Sequence, residues 1–116
     1  MRAERLDRTL AALADPTRRG VVDMLRVEPR RAGELAAAFG ASAPAMSRHL
    51  RVLRESGLVE EDRAPHEDAR VRVYRLRRAP FAALRDWVEE VEAFWGDQLA
   101  SFKEHAERTR PAGKRS

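Results

Sequence analysis

The chain has 116 residues and no Cys, with 23 Lys and Arg against 19 Asp and Glu for a formal net charge of +4. That length supports one modest core rather than two ordinary domains, and the missing thiols exclude a disulfide framework, a thiolate metal site and cysteine chemistry. No apolar run approaches the roughly 20 residues needed to cross a bilayer, and the charged opening MRAERLDRTL lacks the apolar region of a signal peptide, so a cytoplasmic protein with no membrane partner is expected.

The first predicted element is a helix over about 3–14, where Leu6, Leu10 and Leu13 recur at i, i+4 and i+7 and form a narrow apolar seam. Asp15 then reads as an N-cap with Pro16 at the first helical position, and Val21, Val22 and Leu25 carry a second helix to about Val27, before Glu28-Pro29 ends it. Arg18 and Arg19 fall in its first turn, where solvation is the simplest reading and a phosphate contact the alternative. Leu35, Ala36 and Phe39 mark a short helix from Ala32 to Phe39, stopped by Gly40.

Two residues later Ser42 caps a helix that Pro44 can enter and Gly57 closes. Within it Met46, Leu50 and Leu53 share one stripe and must pack inward, so Pro44, Ser47, Arg48 and Arg51 lie on the opposite side. An outer face of hydroxyl, guanidinium and a slim apolar edge suits a DNA major groove. A short helix, a tight turn and such a helix make a helix-turn-helix unit, although an αα-hairpin in any helical bundle shares much of the pattern.

Beyond Gly57 the period becomes extended. Leu58-Val59 starts one strand and Arg70 to Leu76 forms an alternating second, which gives a β-hairpin wing whose Arg63, Arg70 and Arg72 are candidates for phosphate or groove contact. Pro80 opens a last helix in which Leu84, Val88, Val91, Trp95, Leu99 and Phe102 follow at four- and three-residue steps, flanked by Trp87 and Phe94. About 28 residues of helix, roughly 40 Å long, outrun the small domain before it, so the Leu6/Leu10/Leu13 seam and a second copy of the subunit are its expected partners. Charge follows the same division: 26–79 carry twelve Arg against eight acids, and 80–108 carry seven acids against three basic residues. A basic middle points to an anionic partner bound on one part of the surface. Residues 109–116, with Pro111, Gly113 and three basic residues, read as a disordered tail after a domain over 1–108.

Asp15-Pro16-Thr17-Arg18-Arg19, then Ser42-Ala43-Pro44-Ala45-Met46-Ser47-Arg48-His49-Leu50, then Leu53-Arg54-Glu55-Ser56-Gly57-Leu58-Val59, make the chain resemble the ArsR/SmtB family of winged-helix repressors over about residues 3–106. The resemblance implies a mainly α fold with a small β-hairpin, a homodimer joined by its terminal helices, and a 42–54 helix in each subunit that reads a palindromic operator in double-stranded DNA. Its DNA-facing set would be Ser42, Ala43, Pro44, Ala45, Ser47, Arg48, His49 and Arg51, with the three wing arginines; His49 also flanks the core stripe, where a packing or backbone hydrogen-bonding role is the first expectation and phosphate contact the second. Metal-sensing members carry cysteines before the turn, where this chain has Arg31-Ala32-Gly33-Glu34-Leu35-Ala36. Zinc-type members carry ligands on the last helix, where Asp86, Glu90, Asp97, His105 and Glu107 include a single His. No metal or cofactor is therefore expected, and an inducer, if used, would be a small molecule of unknown kind. There is no Gly-rich phosphate loop, activated nucleophile or converging acid/base pair, so an enzyme is not expected. The competing reading is a winged-helix module that binds a protein or RNA and uses the long helix for docking.

Overall fold

The structure, a computed structural model, describes residues 2–63 and 72–109. Its elements are α1 (Arg2–Leu13), α2 (Pro16–Leu25), β1 (Arg30–Arg31), α3 (Ala32–Ala38), α4 (Ala43–Glu55), β2 (Val59–Arg63), β3 (Arg72–Leu76) and α5 (Arg78–Thr109). The expected class, mainly helical with a winged hairpin, is the one found. The hairpin is joined by β1 in an antiparallel sheet ordered β1-β3-β2, with Arg30 opposite Tyr74 and Val59 opposite Leu76. Two residues after a proline carry no readable alternation, which is why β1 is silent in the sequence.

Residues through Leu84 form one compact unit and those from Arg85 another. In the first, Val21 and Leu25 of α2, Leu35 of α3, Met46, Leu50 and Leu53 of α4, Leu58 just before β2, and Val59 and Tyr74 of the sheet make the buried core. Each large apolar side chain taken from water contributes about 1.5–3 kcal/mol. α1 adds Ala12 and Thr9 to the buried set, whereas Leu6 is half-buried and Leu10 exposed. The helix thus turns its small residues inward, and the Thr9 hydroxyl meets its hydrogen-bonding need by donating to the Arg5 carbonyl at 3.1 Å.

Helix ends follow local chemistry. The Asp15 carboxylate accepts the Arg18 amide at 3.0 Å and opens α2, which stops at Leu25, two residues before the expected end. Gly20, mid-α2, lies under the ring of Phe39, where a Cβ would come within 2.5 Å of Cε1. α4 closes with Gly57 at φ +80, and the Leu58 amide reaches back to the Leu53 carbonyl at 3.0 Å.

In the second unit, Val88, Val91, Phe94, Trp95, Leu99 and Phe102 of α5 are all exposed, Trp95 by 67 % and Phe102 by 72 %. Leu84, the first residue of the expected seam, belongs instead to the first unit and is half-buried. α5 runs through Thr109, so the expected tail yields that residue to the helix, and 110–116 lie outside the described residues.

Candidate nucleic-acid interface

α3 opens where the Glu34 carboxylate accepts the Arg31 amide at 2.8 Å, and it ends in a turn with Gly40 at φ +60. The Ala41 amide donates to the Ala36 carbonyl at 2.9 Å, which fixes the chain direction just before α4. Ser42 then does what a cap should: its hydroxyl oxygen accepts the Ala45 amide at 3.2 Å, with Pro44 in the first turn. The expected stripe of Met46, Leu50 and Leu53 is at most 2 % exposed and anchors α4 on the core.

That anchoring leaves Ser42, Ala43, Pro44, Ser47, Arg48 and Arg51 exposed on the opposite side, with Ala45 half-buried at its edge. Among the described residues neither Arg48 nor Arg51 has a hydrogen-bonding or ionic partner, so none of these residues takes up their guanidinium donors. His49 is placed differently. Its side chain is 23 % exposed and turns toward the start of α2, with Nδ1 3.4 Å from Arg18 Nη1 and 3.9 Å from the Asp15 carboxylate.

Arg18 and Arg19 do more than lie in a solvated first turn, although Arg19 is exposed there. Arg18 Nε donates to the Ala12 carbonyl at 2.7 Å, and Arg19 Nη1 donates to the carbonyls of Leu13 and Ala14 at 2.9 and 3.1 Å. Both guanidiniums therefore satisfy orphan carbonyls at the end of α1, a favourable place for a cation. Arg18 thereby links α1, α2 and α4 through its contact with His49. The hydrogen bond from the Arg18 amide, opposed by desolvation and helped by His49 and the Arg18 charge, holds the Asp15 carboxyl below its ordinary range.

Arg72 is held by neighbouring side chains as well. Its Nη1 is 2.8 Å from Glu61 Oε1, while Arg54 Nη1 of α4 and the Tyr74 hydroxyl donate to Oε2 at 3.0 and 2.7 Å. Arg72 thus shares one carboxylate with Arg54 of α4. Burial pushes the Glu61 carboxyl upward, but Tyr74, Arg72 and Arg54 together outweigh it and hold the group below its usual value. Burial first, and Glu61 second, raise the Tyr74 phenol. Ser47, Leu50, Arg51, Arg54, Glu61, Arg72 and Tyr74 line a cleft between α4 and the hairpin. Arg63 faces Arg72 across the β2–β3 register, and Arg70 lies outside the described residues.

Sequence reasoning missed Arg54, Glu61 and Tyr74. Their one advance signal was the alternation of β3, which puts Arg72 and Tyr74 on one face of the strand. Among the described residues no helix is long and apolar enough to cross a membrane.

The model of the family described as "Bacterial regulatory protein, arsR family" matches residues 15–61, from the cap of α2 to Glu61. The chain is 40 % identical over 96 residues to the HTH-type transcriptional regulator Rv2034 of Mycobacterium tuberculosis, covering 83 % of each chain. It is 33 % identical over 58 residues to the transcriptional repressor SdpR of Bacillus subtilis, covering 50 % of this chain and 64 % of that one. Among solved structures, an ArsR-like transcriptional regulator from Rhodococcus sp. RHA1 superposes with a TM-score of 0.74 at 30 % identity, over 90 % of this chain and 94 % of the other.

Proposed function

From the premise that this chain belongs to the arsR family of bacterial regulatory proteins, whose members are transcriptional regulators and not enzymes, we propose that it is a homodimeric repressor that binds a palindromic operator. Each subunit places α4 in a major groove, and the bound dimer blocks the promoter by occupying it. The observation that carries this reading is the outer face of α4, where Arg48 and Arg51 stand exposed and unpartnered among the described residues beside Ser47, while the inner stripe fixes the helix to the core. A guanidinium whose donors none of these residues takes up, beside a hydroxyl, matches the acceptor pattern of guanine and the oxygens of phosphate. The name of the Bacillus relative, a repressor, supports the sign of regulation.

Dimerisation is supported by α5. Trp87, Val88, Val91, Phe94, Trp95, Leu99 and Phe102 are 37 % exposed or more, a face that a second copy would remove from water. Two α4 helices set about 34 Å apart would then meet successive major grooves of one operator.

The test is DNA selected by the protein from a bacterial genome, followed by binding of wild type and of Arg48→Ala and Arg51→Ala to the selected and scrambled duplexes. A base-reading arginine should lose roughly 1–3 kcal/mol on the selected site alone, and a phosphate-binding one should weaken both duplexes alike. If both variants bound as wild type does, the reading face would be wrongly placed. Operator affinity should also fall by orders of magnitude between about 50 and 200 mM salt.

A further inference from the structure

A carboxylate inside a surface that receives a polyanion repels it, so Glu61 calls for a role other than attraction. Its side chain is 22 % exposed, in the cleft beside the reading helix. It sits on β2 and binds Arg54 of α4, Arg72 of β3 and the Tyr74 hydroxyl at once, all at 3.0 Å or less. One carboxylate therefore ties the reading helix to the hairpin, and the phenol steadies it from the sheet side.

We propose that Glu61 is a specificity-determining positioning residue of the DNA interface, which holds Arg54 and Arg72 so that they meet phosphate only when α4 is seated in its operator. This rests on the DNA-binding reading above. Nonspecific binding consists almost wholly of flexible cations finding phosphates in any register and releasing counterions. An arginine pinned by a carboxylate loses that freedom and part of its charge, which weakens every nonspecific register. On the operator the contacts of α4 set the register, and two guanidiniums already in place meet the backbone with little further ordering cost. The half-exposed state of both guanidiniums, 41 % for Arg54 and 49 % for Arg72, leaves donors to spare for a phosphate.

The experiment compares Glu61→Gln with wild type on the genome-selected duplex and a scrambled one, across a salt series, and repeats the substitution in an Arg54→Ala/Arg72→Ala background. Glu61→Gln should tighten scrambled DNA by about tenfold and steepen its salt slope by about one phosphate equivalent, with a smaller gain on the operator. In the doubly substituted background the effect should vanish, as coupling through those two arginines requires. An equal gain on both duplexes, or a gain that survives without the arginines, would overturn the proposal in favour of simple charge repulsion. A second readout comes from the single tyrosine of the chain: Glu61→Gln should lower the ionisation pH of Tyr74, followed by its absorbance. An unchanged titration would deny the contact and overturn the proposal by itself. Absence of any duplex binding by wild type at low salt would instead remove the DNA-binding reading and the proposal with it, while the Tyr74 titration still reported on the contact.

Discussion

The ring of Phe39 passes over α2 at Gly20, the one position of that helix without a side chain to obstruct it. Alanine is favoured over glycine in a helix interior by about 1 kcal/mol. Gly20→Ala should therefore stabilise the protein by that amount when combined with Phe39→Ala, and should lose the gain, or become destabilising, with the ring in place. Urea titrations of the four variants give the coupling directly. Protonation offers another test at this scale. Asp15 and Glu61 both ionise below their ordinary values in the fold, so their contribution is present above the ordinary carboxylate range and is lost as pH falls through the lowered values. Asp15→Asn and Glu61→Gln should each flatten the acid limb of stability against pH, and an unchanged limb would deny the assigned partners. Asp15 announces its cap in the sequence, whereas the partners of Glu61 and of the arginines stay hidden there. Arg18 finds the end of α1 because the turn at Ala14 and Asp15 folds α2 back on it, and Arg72 finds Glu61 through a strand register that no local pattern specifies.

Elements are another matter, because their signals are local. Met46, Leu50 and Leu53 declare the inner side of α4 by spacing, Ser42 and Gly57 declare its ends, and all five do in the structure what the sequence says. Ser42→Ala should cost about 1 kcal/mol through the lost cap, whereas Leu50→Ala should cost roughly 2–5 kcal/mol through the cavity it leaves. Thermal unfolding separates the two, and the cap variant alone should stay folded well enough for a DNA assay. α1 divides its residues between two surfaces: Thr9 and Ala12 are buried and Leu13 packs beside the core, because small side chains let two helices approach closely. Leu10 is left outside at 40 % exposure, available to another surface.

For the whole molecule the decisive quantity is apolar surface. An exposed run holding two Trp and two Phe on one helix is more than scattered surface residues explain. If a second copy covers it, Trp95→Glu combined with Leu99→Glu should convert a dimer into monomers in sedimentation velocity, with α4 and its core intact by circular dichroism. Operator affinity should collapse in the same variant, because a lone reading helix gains nothing from the second half-site. A wild-type monomer at micromolar concentration would reject the dimer.

The strand order β1-β3-β2 has a consequence for how such a protein can change. β1 leads directly into α3 and β2 leads out of α4, and β3 is hydrogen-bonded to both, so the whole helix-turn-helix is a closed excursion from one small sheet. Its entry at Arg31 and its exit at Val59 lie two strand spacings apart across the sheet, about 10 Å, and three residues apart along β3, whatever lies between them. The segment behaves as a cassette with clamped ends: the side chains on the outer side of α4 can be exchanged while the clamp, and the frame that carries it, stay as they are.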